Sequence, residues 1–345
     1  MALFLGILLF SFILTSLAII PFIDLLYKIR FTHSVHLPPT SKIEAKEFAT
    51  LHRKQHWKIG TPVGGGILLI TMVSLIFALI FPNISQLGVY ITTFYPLKEE
   101  LNLIFFTFIS FGLLGLYDDI VKIFSLKTRS LLGLGLNYKP VLKLVLATVT
   151  ASMLYFNLGI HIFHIPFLAV LDLGWLYIPV AALIIFLFTR AFDITDGLDG
   201  LASGLLLICL LAFWAVSLTS LDTTLSVFIA LWIGSLIAFL YFNVYPARIW
   251  LGNAGSLSFG ATLAVTGLLL GKTMSLLFIG GIFILEIIIY YLQFVSIRLF
   301  NRRIFSVTPL HYWLQTRGWP EPKVVMRLWL VAIFLALIGL WLAGA

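Results

Sequence analysis

The sequence predicts an all-α polytopic membrane protein with about ten transmembrane helices, from its composition, the lengths of its hydrophobic runs and the placement of its basic residues. Hydrophobic residues make up 61% of the chain and charged residues 10%, and the mean hydropathy is +1.09. A soluble domain keeps about a quarter of its residues charged, so this chain lacks the polar surface that water requires. No internal repeat or low-complexity linker suggests a second domain, and we therefore expect residues 1–345 to form one integral membrane domain.

The candidate spans are the hydrophobic runs of roughly 20 residues, the length that crosses a bilayer as a helix. They lie at 2–26, 63–82, 101–117, 139–157, 174–190, 201–219, 224–244, 256–271, 274–297 and 324–343. The first run is too long for the core of a signal peptide and has no basic segment before it, so we interpret it as an uncleaved helix. We expect the segment 159–173 to form an interfacial or hairpin excursion rather than another span.

Lysine and arginine are unequally divided between alternate loops. The basic set of loops, which holds 20 of the 22 Lys and Arg residues, comprises 27–62, 118–143, 190–200, 245–255 and 298–327. The other set holds only Lys98 and Lys272. Because basic residues accumulate on the cytoplasmic side, we expect five cytoplasmic loops and both termini outside. Anionic lipid or a polyanionic substrate accounts for the net charge of +8, and nucleic acid is not needed to explain it.

The first acidic feature is the pair Asp118-Asp119, which ends a hydrophobic run and precedes Lys122. An ionisable side chain at membrane depth is costly unless it is paired or faces a polar cavity. On a helix, Lys122 shares the face of both carboxylates, because it follows them by four and three residues. Paired acids beside a cation suit Mg²⁺ and diphosphate chemistry. Helix capping or simple pairing with lysine is the structural alternative.

The second acidic feature is the segment 193–200, with the sequence DITDGLDG. Asp193, Asp196 and Asp199 recur at intervals of three, which places them on one side of a helical turn. The intervening glycines allow the backbone to turn sharply or to approach a ligand closely. A calcium loop of the EF-hand type would need further ligands and a terminal glutamate, which are absent here. Calcium binding is therefore the weaker interpretation of this segment.

Two further segments in the predicted cytoplasmic set carry polar residues. In 243–256, glycines flank Asn253 just before a hydrophobic run, which suits a phosphate or metal at a helix N-terminus. An ordinary glycine-rich turn capped by Ser256 explains the same pattern equally well. In 302–321, basic and aromatic residues accompany His311. These residues are typical of a site for a phosphorylated ligand that carries a ring. They are equally typical of the belt of aromatic and basic residues at a membrane interface.

Taken in chain order, these segments resemble the phospho-N-acetylmuramoyl-pentapeptide transferases, within the polyprenyl-phosphate N-acetylhexosamine-1-phosphate transferase superfamily. The resemblance extends from about Lys58 to Leu340. The matching motifs are at 58–66 (KIGTPVGGG), 115–122 (GLYDDIVK), 195–202 (TDGLDGLA), 242–247 (FNVYPA), 252–257 (GNAGSL), Glu286 with Gln293, 303–311 (RIFSVTPLH), 318–321 (GWPE) and 327–329 (RLW). The last two motifs favour this branch over the GlcNAc-phosphate transferases.

The resemblance implies an activity, a location and partners. Such enzymes move phospho-MurNAc-pentapeptide from its UDP carrier onto undecaprenyl phosphate, giving lipid I and UMP in peptidoglycan synthesis. It therefore implies a Mg²⁺-dependent transferase, multi-pass in the bacterial cytoplasmic (inner) membrane, with its active-site loops cytoplasmic. UDP-MurNAc-pentapeptide, undecaprenyl phosphate and membrane lipid are the implied partners, nucleic acid is not among them, and a homodimer is a possible assembly.

The resemblance also implies roles for individual residues. The implied catalytic residues are Asp118, Asp119, Lys122, Asp196 and His311. The implied substrate-binding residues are Lys58, Arg190, Gly197, Leu198, Asp199, Asn243 and Trp250. The implied Mg²⁺ ligands are Asp119, Asp193, Asp196 and Asn253. Asp118 is expected to be the base that deprotonates the lipid phosphate, or alternatively a nucleophile, and Trp250 is expected to stack on uracil.

The chain departs from the family pattern at several of these positions. The family usually has Asn where this chain has Arg190 and Asp193, and it has a metal-binding Asp where this chain has Asn253. Three consecutive histidines are usual, and here only His311 is present, followed by Tyr and Trp. The departures are compatible with a divergent active enzyme or with a degenerate relative whose metal site has weakened.

Two other functions remain open at this level. One is a sister enzyme that transfers GlcNAc-1-phosphate to the same lipid. The other is a transporter-like or inactive scaffold, because charges inside a membrane also line permeation paths. Nearly all polar chemistry lies in the predicted cytoplasmic loops, which argues against a path through the membrane.

Overall fold

The computed structural model describes residues 2–32, 58–86, 91–124 and 138–344. Within these ranges the chain forms one β-hairpin and twelve α-helices. The helices are α1 (Ala2–Lys28), α2 (Gly65–Ile80), α3 (Leu97–Ile123), α4 (Tyr138–Phe156), α5 (Tyr177–Thr195), α6 (Leu201–Thr219), α7 (Thr223–Asn243), α8 (Gly252–Leu269), α9 (Thr273–Ile279), α10 (Gly281–Phe300), α11 (Leu310–Thr316) and α12 (Glu321–Ala343). Most of the first predicted cytoplasmic loop, at 33–57, and part of the second, at 125–137, fall outside the described residues.

Nine helices in this part of the chain are long and apolar enough to cross a membrane: α1, α2 with the turn after it, α3 to α7, α10 and α12. Their outward faces are hydrophobic, with Leu17 70% and Leu79 65% exposed, as lipid contact requires. The prediction of an all-α polytopic membrane protein is confirmed.

The eighth predicted span, 256–271, corresponds to α8, which differs in character from those nine helices. Every residue from Ala254 to Leu269 is buried, and many of them are Gly, Ala, Ser or Thr. Small residues let neighbouring helices approach closely inside a membrane bundle. Because α8 contacts α2, α3 and α5 rather than lipid, it does not need a strongly apolar sequence.

The ninth predicted span, 274–297, is two helices rather than one. The chain breaks at Gly280, between α9 and α10. A Cβ atom at Gly280 would lie 2.5 Å from the ring of Phe188, so the break brings the backbone against α5. The expectation of one continuous helix is therefore wrong, because tight packing against α5 outweighs the continuity of the hydrophobic run.

The predicted excursion at 159–173 contains a two-stranded antiparallel hairpin, β1 (Ile162–Ile165) and β2 (Ala169–Asp172). His161 and Asp172 join its ends with a 2.9 Å contact between Nδ1 and Oδ1. The hairpin side chains are mostly exposed, with Leu168 83% exposed. The hairpin alternative of that expectation is confirmed.

Two carboxylic acids are buried side by side at the end of α3 remote from Asp119. Glu100 is fully buried in α3, and Asp222, 3% exposed, caps the N-terminus of α7 by accepting from Leu225 N at 3.1 Å. Within the described residues neither carboxylate has an ion pair. Burial raises the pKa of the Asp222 carboxyl above its usual range. The pair is therefore most stable when it retains a proton.

We expect Glu100→Gln to make the thermal stability less dependent on pH. A carboxyl whose pKa rises on folding binds its proton more tightly in the folded state, so stability falls as pH rises above the range of an exposed carboxyl. The melting temperature (Tm) of the wild type in detergent should fall as the pH rises above the range of an exposed carboxyl, and that of Glu100→Gln should fall less. Glu99→Gln, which changes the less buried neighbour, is the matched control, and equal slopes for all three proteins would contradict the prediction.

Candidate active site

A cavity of about 340 Å³ lies where α3 and α5 end and α8 begins. Six residues singled out in the sequence line it: Asp119, Lys122, Asp193, Asp196, Trp250 and Asn253. They come from three of the four polar segments described above, which are far apart along the chain. The fold therefore brings the predicted acidic features into one place.

Glycines allow the N-terminus of α8 to enter between α2 and α3. A Cβ atom at Gly66 would lie 2.1 Å from the backbone nitrogen of Gly255. One at Gly115 would lie 2.1 Å from the carbonyl oxygen of Asn253. Real side chains cannot be accommodated at such distances, so these two motif glycines are required for helix packing that places Asn253 beside the cavity.

Asp119 binds the start of α8. Its Oδ1 accepts from the backbone N–H of Asn253 and its Oδ2 from that of Ala254, both at 3.0 Å. A carboxylate at a helix N-terminus satisfies unpaired donors and interacts favourably with the helix dipole. Gly252 has φ +79°, and a Cβ there would lie 2.8 Å from Asp119 Oδ2. Asp119 therefore holds the Asn253 loop in addition to facing the cavity.

Asp118 points to different partners from its neighbour. Its Oδ1 lies 3.0 Å from Lys139 Nζ at the start of α4, and the residue is 2% exposed. It is not among the side chains that line the cavity. The ion pair joins α3 to α4 next to the site.

Asp193 accepts from two cations. Its Oδ2 lies 3.3 Å from Lys143 Nζ and 3.4 Å from a guanidinium nitrogen of Arg190, one helical turn earlier. Two of the departures from the family pattern, Arg190 and Asp193, thus form an ion pair with each other. Because the charges of Arg190 and Asp193 cancel, the two departures together add no net charge beside the cavity.

Among the carboxylates that line the cavity, Asp196 has the pKa that is raised furthest above its usual value. Burial, together with the negative charges of Asp193, Asp119 and Asp199, raises the pKa of Asp196 to about 7, against a smaller lowering effect of Lys58. Its side chain has no hydrogen-bond partner in the portion of the chain that the structure covers. A cation beside it would relieve this repulsion.

The donors around the cavity fit a hard divalent cation. Asp119, Asp193 and Asp196 supply carboxylate oxygens, and Asn253 supplies an amide oxygen. Across the described ranges, no three acidic, histidine or cysteine side chains converge into a ready-made metal cage. Mg²⁺ does not need one, because it usually binds one or two carboxylates and takes its other ligands from water and phosphate.

Lys58 and Asp199 form a buried network behind the cavity. Lys58 Nζ lies 2.8 Å from Asp199 Oδ1 and 2.6 Å from Glu321 Oε1. Glu321 also accepts from the backbone N–H of Asp199, and Asp199 Oδ2 accepts from that of Ala247 at 3.0 Å. Lys58 Nζ lies 5.4 Å from the Trp250 ring centre. The network ties four segments of the chain around the indole.

Sequence reasoning gave Glu321 no role beyond a trailing motif, although it completes this network. The available signal was an acid directly before a hydrophobic span, where an unpaired charge is costly.

Asn243 is also buried, accepting from Ser203 Oγ at 2.5 Å and donating to the carbonyl of Ile249 at 2.9 Å. Leu198 packs in the core. Neither Asn243 nor Leu198 lines the cavity.

His311 lies beneath the loop that carries Asp196. It is completely buried and contacts Glu286 through its Nδ1 atom at 3.0 Å. A Cβ at Gly197 would lie 2.7 Å from His311 Nε2, so glycine is required for the loop to rest on the imidazole. His311 therefore supports the cavity from below and is not part of its lining.

Comparison with known proteins identifies relatives over most of the chain. The family model described as glycosyl transferase family 4 matches residues 101–271. The chain is similar to proteins named phospho-N-acetylmuramoyl-pentapeptide-transferase. The one from Acetivibrio thermocellus is 33% identical over 293 residues, 83% of each chain. The one from Borrelia turicatae is 33% identical over 82% of each chain, and the one from Clostridium novyi is 32% identical over 92% of this chain and 90% of its own.

Proposed function

The chain belongs to the phospho-N-acetylmuramoyl-pentapeptide-transferase family, and from this premise we propose that it transfers phospho-MurNAc-pentapeptide from its UDP carrier to undecaprenyl phosphate, forming lipid I and releasing UMP. The observation that carries the proposal is the cavity where Asp119, Lys122, Asp193, Asp196 and Asn253 meet. A lysine can contact a phosphate directly, and carboxylate and amide oxygens can bind the Mg²⁺ that neutralises a diphosphate. The cavity would face the cytoplasm of a bacterial inner membrane.

In the proposed reaction, an oxygen of the lipid phosphate attacks the phosphorus attached to the sugar. The new P–O bond joins the two phosphates of lipid I, and the P–O bond to UMP breaks. Phosphoryl transfer depends mainly on positioning and on neutralising charge, with little covalent chemistry by the protein. Asp118 would deprotonate the lipid phosphate, with Lys139 holding its carboxylate in place. Lys122 would contact a phosphate from the cavity wall.

Mg²⁺ would take its protein ligands from Asp119, Asp193, Asp196 and Asn253, binding one or two of the carboxylates directly and filling its other positions with water and substrate phosphate. When bound, the ion would neutralise the diphosphate and stabilise the leaving phosphate. Because Asp119 already accepts two backbone N–H bonds, it would orient the Asn253 amide while facing the ion. Asp196, whose charge is poorly compensated, would gain most from the cation.

The nucleoside would bind between Trp250 and the loop that carries Gly197, Leu198 and Asp199. Trp250 lines the cavity, and the Lys58 ammonium lies on its ring. Stacking of an aromatic base on the indole face would fix the uracil. Asn243 would shape this pocket by holding the Ile249 carbonyl. Arg190 would act near the donor phosphates, at the edge where Asp193 holds its guanidinium.

We expect Trp250→Ala to weaken UDP-sugar binding more than Trp250→Phe. The difference should be about 1 kcal/mol, roughly fivefold in Kd, because phenylalanine keeps an aromatic face and alanine does not. Calorimetric titration of the purified variants with UDP measures it. Equal affinities for the two variants would show that the indole only packs at the interface.

The proposal is tested by a transfer assay with the purified protein. UDP-MurNAc-pentapeptide and UDP-GlcNAc are supplied separately with undecaprenyl phosphate, with Mg²⁺ or with a chelator. We expect UMP and lipid I from the first donor only, and only with Mg²⁺. Transfer from UDP-GlcNAc would identify the sister activity instead. No transfer from either donor would overturn the proposal.

A further inference from the structure

Glu286 is a buried acid that the proposed reaction does not use. It lies in α10 and has no exposed surface. A buried carboxylate is costly unless hydrogen-bond donors surround it. The groups that surround Glu286 are therefore informative about its role.

Three donors converge on this carboxylate, and all belong to the first turn of α11. Oε2 accepts from the backbone N–H of Leu310 at 2.8 Å. Oε1 accepts from the backbone N–H of His311 at 3.2 Å and contacts the ring Nδ1 at 3.0 Å. Both carboxylate oxygens already accept backbone N–H groups, and we assign the proton of the ring contact to Nδ1, so that the imidazole donates to Oε1. Glu286 thus fixes both the backbone of the turn and the orientation of the imidazole.

The opposite ring nitrogen faces the cavity loop. Within the described residues, His311 Nε2 has no hydrogen-bond partner, and it is buried. It lies against Gly197, where a Cβ would be 2.7 Å away. The neighbouring Tyr312 hydroxyl donates to the Gly197 carbonyl at 3.3 Å. The first turn of α11 therefore supports the segment that carries Asp196.

We propose that Glu286 is a positioning residue for phosphosugar transfer, acting through His311 to hold the imidazole Nε2 against the Asp196–Gly197 segment. The proposal rests on the proposed function. With Nδ1 anchored, the ring cannot rotate, and Nε2 remains directed at the segment beside which the diphosphate would bind. Mutating the partner that orients a metal-ligating histidine typically costs roughly 10–100-fold in metal affinity or activity, and we expect a loss of the same order for this orienting contact.

Glu286→Gln is the informative substitution because it preserves the size of the side chain. The amide keeps one acceptor oxygen but presents an NH₂ group to donors. If the NH₂ replaces Oε2, the Leu310 N–H loses its acceptor, and if it replaces Oε1, the imidazole must lose its bond or change tautomer. We expect kcat to fall about 10–100-fold while KM for the UDP-sugar changes little, since Glu286 is not among the residues that line the cavity.

The same helix provides a matched control in Gln293. Its Oε1 accepts from the backbone N–H of Ile304 and Phe305 at 3.1 and 3.0 Å, and its Nε2 donates to the Phe305 carbonyl. It clamps the chain as Glu286 does but contacts no residue with a proposed role. Gln293→Ala should lower the Tm and leave the kcat of the folded protein within about threefold of the wild type.

A double-mutant cycle separates positioning from general stabilisation. Glu286→Gln, His311→Ala and the double variant are compared with the wild type in kcat and Tm. If Glu286 acts through His311, the double variant loses no more kcat than His311→Ala alone. Independent losses that multiply would overturn the inference. Rates are measured below the lowest Tm, and His311→Gln replaces the alanine variant if that protein does not fold.

The cycle also distinguishes failure of this inference from failure of the proposed function. A wild type that transfers phospho-MurNAc-pentapeptide, together with multiplicative losses, overturns only the role of Glu286. Full kcat in Glu286→Gln would overturn that role as well. A wild type that transfers neither sugar overturns the proposed function and the positioning role with it.

Discussion

Asp118→Asn is expected to lower kcat for phosphosugar transfer by about 10²–10⁴-fold, the usual effect of removing a general base. Asparagine is nearly the same size, but it cannot take a proton and cannot pair with Lys139, which lies 3.0 Å from the carboxylate. Because Asp118 does not line the cavity, KM for the UDP-sugar should change far less than kcat. Steady-state kinetics of the purified variant at saturating Mg²⁺ provide the measurement.

The matched control for this substitution is Asp172→Asn. Asp172 belongs to the exposed hairpin and has no proposed role in the reaction, so its variant should retain wild-type kcat. A folded Asp118→Asn protein with near wild-type turnover would remove Asp118 from the mechanism. A covalent adduct trapped on Asp118 during turnover would instead identify it as the nucleophile.

The second large effect on activity is expected from substitutions at Asp193 and Asn253, where the family usually has Asn and Asp, in that order. Both residues line the same cavity, so a cation between them could meet a carboxylate from either side. Mg²⁺ prefers carboxylate to amide oxygen, and Asn253 alone should weaken its site. We expect Asp193→Asn to lower Mg²⁺-dependent activity at least about 10–100-fold. Adding Asn253→Asp should recover much of the loss, because the two residues share a partner.

The structure adds a competing explanation and the variant that tests it. Asp193 also pairs with Arg190 and Lys143, so its loss leaves two cations without their carboxylate. If Asp193 serves to pair with these cations, adding Arg190→Asn to Asp193→Asn should restore activity, because both positions then carry the residue that is usual in the family. Adding Asn253→Asp should not restore it. Mg²⁺ titrations of activity for both double variants decide between the two. No effect of Asp193→Asn would exclude both explanations.

Much of the architecture was determined by the sequence alone, because lipid imposes a simple rule on composition and length. Runs of about 20 hydrophobic residues must become helices when the surrounding medium cannot bind backbone groups. The hairpin at 159–173 was recognisable because its histidines and proline interrupt such a run. The few acids were equally informative, since a charge such as Asp119 or Asp196 is retained at membrane depth only when it is paired or has polar surroundings.

Only the tertiary structure separated neighbouring acids by role. The sequence presents Asp118 and Asp119 as an equivalent pair, yet one pairs with Lys139 and the other binds the first turn of α8. Successive positions on a helix point about 100° apart, so their partners come from different elements, and sequence spacing does not identify those elements.

The same reason explains the partners that sequence reasoning missed. Glu321 joins Lys58 across 263 positions, and Glu286 reaches His311 across 25. Such contacts depend on which helices pack together, and in this chain that is decided by close approaches such as Gly66 to Gly255. Hydrophobic patterning specifies that a helix forms and spans the membrane, whereas the fit of small residues between helices determines which polar side chains meet.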